Sequence, residues 1–177
     1  KENIKFLESL GVHDSKKLTD EKIKRCAPLI IKKIPYESLV LSNKEYNEYH
    51  DKGYNMNKIK AIMHNKVLFK MKNKDFNYEK IIVDQFALPG VYYNYLREAT
   101  NKVTGITFTT KAEDKNLSVA CASIISRYVF LSEKKKLEEK LGMSIPLGAG
   151  VKVDEVGKEI VKKFGNNILN DISKISF

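Results

Sequence analysis

A chain of 177 residues with 42% hydrophobic content can bury one good core and is too short for two ordinary domains, so residues 1–177 read as a single domain. The net charge is +10, which favours a polyanionic partner such as nucleic acid or an anionic membrane surface. No apolar run approaches the roughly eighteen residues that span a bilayer, and no signal-peptide pattern opens the chain, so a cytoplasmic protein with no membrane partner is expected.

The positive charge is mostly lysine, the arginines being Arg25, Arg97 and Arg127. Lysine meets phosphate as a point charge and not as a planar fork, which suits backbone contact better than base reading. A compositional bias toward lysine and asparagine accounts for many of the individual lysines equally well. Cys26 and Cys121 each lie among apolar residues at helical spacing, without metal-ligand spacing, as buried free thiols of a reducing compartment would.

In chain order, Ile4, Leu7 and Leu10 predict a short helix ended by Gly11. A polar loop with His13, Asp14, Ser15, Lys16 and Lys17 follows. Thr19 then predicts an N-cap, with Asp20 and Glu21 in the first turn of a helix whose core face is Ile23, Cys26, Ala27, Ile30 and Ile31. "YESLVLS" predicts a strand. "YNMNKIKAIMHNKVLFKMKNK" predicts an amphipathic helix with Met56, Ile59, Met63, Val67 and Met71 on one face.

The β-branched run Ile81, Ile82, Val83 predicts a short strand buried on both faces, and it stops at a single carboxylate, Asp84. Pro89 and Gly90 turn the chain into a tyrosine-rich helix. "VTGITFTT" predicts a further strand, and "KNLSVACASIISRYVFLSEKKKLEEKLG" a long helix, apolar first and charged later. After the loop "SIPLGAG", helical segments run from Asp154 to Ile175. Strands alternating with helices predict an α/β fold with a central mixed sheet flanked by helices. In such sheets ligands gather beyond the carboxyl ends of the strands, where Asp84 sits.

Glu113 follows the next strand, so Asp84 and Glu113 occupy positions where adjacent strand ends converge. Two or more converged carboxylates make an oxygen-rich seat for Mg²⁺ or Mn²⁺, and the flanking Lys111 and Lys115 suit a phosphodiester substrate. Spacing alone is equally served by a turn-capping role for Asp84, and for Glu113 and Asp114 it favours a helix-dipole role. His64, inside an apolar helix, reads as a core or flank residue, and His13 and His50 have no partner at metal spacing.

The blocks "GVHDSKKLTDEKI", "GYNMNKIKAIMHNKVL", "IIVDQFALPGVYYNYL", "TTKAEDKNLSVACASIISRYVFL" and "IPLGAGVKVDEVGKEIV" resemble, in order and over nearly the whole chain, the catalytic domain of bacterial ribonuclease HIII, a type 2 ribonuclease H. The resemblance implies a ribonuclease H-like fold and two-metal-ion hydrolysis of the RNA strand of RNA/DNA hybrids by a monomeric endonuclease. It implies that Asp84 and Glu113 are metal ligands and catalytic acids, the third and fourth of the family's set. Asp14, Ser15, Lys16 and Lys17 match a substrate-side loop, and Lys111 joins them as a substrate-binding candidate.

Family members carry an upstream strand with an Asp-Glu pair that supplies the first two acids, and this chain begins after it. The expectation is therefore that the 177 residues alone are nearly inactive. The alternative function is an incomplete fragment that acts only as a basic nucleic-acid-binding module. "VDEVGKE" at 153–159 imitates the missing motif, but Asp154 and Glu155 read as the N-cap and first turn of a helix.

Overall fold

Thr19 Oγ1 accepts a hydrogen bond from the Lys22 amide, and that cap opens the helix the sequence predicts at this point. The computed structural model describes residues 2–12 and 17–175. Its elements, in order, are α1 (Glu2–Ser9), α2 (Asp20–Lys33), α3 (Asn43–Asp51), α4 (Met56–Lys72), β1 (Ile81–Asp84), α5 (Pro89–Tyr95), β2 (Ile106–Thr109), α6 (Leu117–Leu141), α7 (Val151–Phe164) and α8 (Ile168–Ile172). A 3-10 turn, Ala112–Asp114, separates β2 from α6. The chain forms two compact units, one of residues 1–39 and 56–129, the other of residues 40–55 and 130–177.

In the first unit, Ile23, Cys26, Ala27 and Ile30 of α2 fall on one helical stripe and are all buried. They pack with Leu7, Val12 and the first half of α6, through Ala120, Cys121, Ile124 and Ile125. Burying each large aliphatic side chain contributes about 1.5–3 kcal/mol, which makes this cluster a main support of the unit. Arg127 of α6 grips Asp20 of α2 through two nearly parallel hydrogen bonds, of 2.9 and 3.0 Å. A second cluster joins Ala61 of α4 and Tyr92 of α5 with Leu96, and Phe86, Ile106 and Phe108 pack against it.

β1 and β2 pair in parallel, with Val83 opposite Phe108 and Asp84 opposite Thr109. A parallel pair needs a crossover connection, here through α5. No antiparallel pair, and so no mixed sheet, is present among the described residues. Val83 is buried, but Ile81 and Ile82 are only half-buried, because a two-stranded ribbon shelters less of each face than an inner strand of a wide sheet enjoys. The strand expected at "YESLVLS" does not form. Residues 36–42 have no ladder partner among the described residues, and an extended segment without one is not a strand. The third predicted strand shortens to its last part, starting after Gly105, whose φ of 72° breaks the extended run.

In the second unit, Ser42 and Glu45 close a reciprocal capping box at the start of α3. Asn47 of α3 is 5% exposed and binds α8 and the segment just after it. Its Nδ2 donates to the Asn170 carbonyl (3.2 Å), to Asn170 Oδ1 (3.1 Å) and to the Ser173 carbonyl (3.0 Å), while its Oδ1 accepts from the Ile175 amide (3.0 Å). α7 begins at Val151, earlier than the predicted Asp154, because Gly150 supplies the N-cap at φ 134° and leaves Asp154 inside the first turn.

Candidate metal and phosphodiester site

Asp84 is the last residue of β1 and is exposed, while Glu113 lies half-buried in the turn just beyond β2. The parallel register brings the ends of the two strands level, and the Gln85 amide donates to the Thr109 carbonyl at 3.1 Å to extend the pairing by one bond. The decisive contact is long-range. The Ala112 N–H donates to Asp84 Oδ1 at 2.8 Å, across 28 residues of sequence. A local turn cap would bond within a few residues, so that reading of Asp84 fails. The carboxylate instead ties the end of β1 to the turn that carries Glu113.

The turn is reached through an unusual backbone. Lys111 has φ 52° and ψ 46°, the left-handed conformation, and is the one non-glycine residue with positive φ among the described residues. For an L-residue with a side chain this conformation costs about 1–2 kcal/mol. It reverses the chain off β2, so that the Ala112 N–H points back at Asp84. Asn116 Nδ2 donates to the Ala112 carbonyl (3.1 Å) and closes the far side of the turn. Lys115 Nζ is held at the Thr110 carbonyl (3.3 Å), so this lysine braces the turn. Lys111 is exposed, and its ammonium has no hydrogen-bond or ion-pair partner among the described residues.

Two further side chains approach from α4. The ring of His64 meets that of Phe86 edge-on, with centroids 5.1 Å apart, and Lys60 Nζ stands 5.7 Å from the Phe86 centroid. Burial, and secondarily the Lys60 cation, push the His64 pKa below its ordinary value, while the Asp84 charge pulls the other way. His64 thus lies within electrostatic reach of Asp84. Half-buried against Phe86, His64 has the flank position that the sequence allows for it.

Of the other site candidates, Lys17 is exposed, and Asp14, Ser15 and Lys16 lie outside the described residues, as does His13. His50 stacks on Tyr46 in the second unit. A cavity of about 200 Å³ lined by Lys58, Asn94, Tyr95, Arg97 and Glu98 shares no residue with the acid pair. Cys26 and Cys121 are free and buried, and burial pushes the Cys121 thiol up to about 11.

Mg²⁺ and Mn²⁺ take oxygen ligands, and the acid pair offers them. Asp84 accepts one amide on Oδ1, and an ionised carboxylate keeps further acceptor capacity beyond one hydrogen bond. The donor chemistry therefore fits a hard divalent cation. No cluster of three or more His, Cys, Asp or Glu placed to hold a metal ion forms among the described residues.

The family model for ribonuclease HII matches residues 1–177. The chain belongs to the ribonuclease HII family. Within that family the resemblance to ribonuclease HIII holds. The chain is 45% identical to ribonuclease HIII of Phytoplasma mali over 99% of its own length and 61% of that protein. It is 43% identical to ribonuclease HIII of Bacillus licheniformis over 100% of its length and 57% of that protein. The crystal structure of Bst-RNase HIII in complex with Mn²⁺ superposes with a TM-score of 0.94 at 38% identity, covering 98% of this chain and 57% of that one. The fold is accordingly the ribonuclease H-like α/β fold, and the chain spans about three fifths of the length of the relatives it matches. No helix among the described residues is long and apolar enough to cross a membrane.

Proposed function

We propose that this chain forms the catalytic domain of an endonuclease that hydrolyses the RNA strand of RNA/DNA hybrids, with Mg²⁺ or Mn²⁺ held by Asp84 and Glu113. The observation that carries the reading is the 2.8 Å bond from the Ala112 N–H to Asp84. It fixes one carboxylate at a strand end and places the other in the same turn, beside lysines. The likeness to proteins named ribonuclease HIII supplies the reaction class, and the Mn²⁺ complex of Bst-RNase HIII supplies the metal class.

Two divalent ions bound at such a site would contribute Lewis acidity on the attacking and leaving sides of an in-line displacement at phosphorus. Asp84 and Glu113 would hold them, and the Ala112 amide would keep Asp84 aimed. Lys111 and Lys17, with Asp14, Ser15 and Lys16 of the adjoining loop, would contact the substrate backbone. Selectivity for the hybrid would come from backbone shape and 2′-hydroxyl contacts, which distinguish an RNA strand without reading sequence.

The same reading takes residues 1–177 as one catalytic domain, supported by a family match that runs from end to end. It takes the protein as a cytoplasmic monomer, a setting that suits two free buried thiols. It also takes the 177 residues alone as poor in turnover, since the described residues bring only two acids together. The test is cleavage of a labelled RNA/DNA hybrid by the protein in Mn²⁺, in Mg²⁺ and in EDTA. Metal-dependent cuts confined to the RNA strand are expected, and cuts that persist in EDTA would overturn the metal reading.

A further inference from the structure

Seven glycines, Gly11, Gly53, Gly105, Gly142, Gly148, Gly150 and Gly165, take positive φ in this chain, and Lys111 is the one residue with a side chain that does so among the described residues. Glycine adopts this backbone without strain, and asparagine tolerates it far better than lysine does. A lysine placed by compositional bias alone has no reason to settle where the backbone opposes it. Lys111 is also the residue whose turn delivers the Ala112 N–H to Asp84, and its ammonium is exposed and unpaired among the described residues. The nearby Lys115 differs on that last point, because its ammonium is already bound to the Thr110 carbonyl.

We infer that Lys111 is a strained phosphate clamp: the left-handed turn is kept as lysine, at a cost in stability, because its ammonium binds a backbone phosphate of the nucleic acid beside the Asp84 and Glu113 pair. The inference rests on the reading of that pair as a phosphodiester-cleaving site, and it adds to it a division of labour within one residue. The backbone of Lys111 aims the acids, and its side chain holds the substrate. Strain and function are then linked, so relieving one removes the other. Lys111 is on this account a substrate-binding residue, with no part in proton transfer.

The test compares Lys111→Gly, Lys111→Asn and Lys111→Arg with the wild type, each in the complete protein, in three measurements: thermal unfolding, KM and kcat for a hybrid in Mn²⁺, and hybrid binding in EDTA across a salt series. Lys111→Gly should unfold roughly 1–4 °C higher, the strain relieved being offset in part by the greater freedom of glycine in the unfolded chain. Its KM should rise while kcat holds, the pattern of lost uniform binding. The slope of log binding constant against log salt should shrink by roughly 0.7–0.9, the loss of one phosphate contact. Lys111→Asn should repeat the binding loss without depending on glycine, and Lys111→Arg should keep the slope and the KM.

A Lys111→Gly protein that is more stable but unchanged in slope and KM would overturn the clamp and leave only a tolerated strain. Equal loss in Lys111→Arg would overturn it too, by assigning the effect to packing. If the wild type binds hybrid and leaves it uncut, the cleavage reading fails on its own, and the salt slopes still decide Lys111. If the wild type does not bind hybrid at all, the clamp falls with it.

Discussion

Replacing Tyr92 by phenylalanine should make the protein more stable. Tyr92 is fully buried, and its hydroxyl has no hydrogen-bond partner among the described residues. Leaving a buried polar group unsatisfied costs about 1–3 kcal/mol. The ring itself is well placed, with centroids 5.0 Å from Phe108, 5.4 Å from Tyr93 and 6.0 Å from Phe86, all in edge-to-face or near-perpendicular arrangements that phenylalanine preserves. Deleting one oxygen forfeits a few dispersion contacts at about 0.1–0.2 kcal/mol each. The net gain is then about 1–2 kcal/mol, or roughly 2–8 °C in Tm for a chain of this size.

The same variant carries a pH signature. Burial pushes the Tyr92 phenol up to about 12. Between its ordinary value of 10 and about 12 the folded protein keeps a proton that the unfolded chain releases, so stability falls as pH rises through that window. The size of this alkaline loss is about 2–3 kcal/mol, and the phenylalanine variant lacks it. The chain has no tryptophan, so urea and thermal unfolding are followed by far-ultraviolet circular dichroism, at neutral pH and from pH 9 to 12. A Tm that drops by 3 °C or more at neutral pH would refute the reasoning, since it would mean that the hydroxyl is satisfied in solution and stabilises the fold.

Other expectations concern the site and the second unit. Asp84→Asn keeps an oxygen for the Ala112 amide but loses the charge, so the fold should persist while metal-dependent cleavage drops by more than ~100-fold, beyond what losing a supporting group costs; wild-type rates in this variant would remove Asp84 from the site. Binding of hybrid should weaken steeply between low and moderate salt, as phosphate contacts require, and a flat titration would argue against a lysine-lined surface. Glu138, held by Lys134 first and then by the Ile145 amide and Ser144, has its pKa lowered to about 2. Its contribution is present above the ordinary value of 4.5 and is lost as pH falls through about 2, so Glu138→Gln should flatten the acid limb of a stability profile over that range. An unaltered acid limb would show that the group stays solvated.

The sequence exposes those features that depend on neighbours along the chain. Ile81 to Asp84 is readable as a strand with an acid at its tip because β-branching and the stop are both local. Thr19 before Asp20 and Glu21 announces α2 in the same way, and the helical spacing of Ile23, Cys26, Ala27 and Ile30 marks the buried stripe. What depends on distant partners is not written locally. "YESLVLS" has the composition of a strand, but a ladder needs a second chain segment, and none pairs with it among the described residues. The bond from Ala112 to Asp84 requires both the parallel register and the left-handed Lys111, neither of which any local pattern reveals. For Asp84, then, spacing left a local turn cap open, and the long-range bond from the Ala112 amide speaks against that cap. The polar interior partners, Tyr92 and Asn47, were invisible for the same reason.

Asn47 also dictates an order of events at the ribosome. Among the described residues, its side-chain partners lie at 170–175, which leave the exit tunnel after another 123 or more residues have been added. At elongation speeds of about 5–20 residues per second, that delay is roughly 6–25 s, during which α3 is already synthesised and its amide has only water to bind. The buried amide of Asn47 thus gains these partners only once residues 170–175 have emerged, which makes the docking of α3 on α8 a late step in the assembly of the second unit.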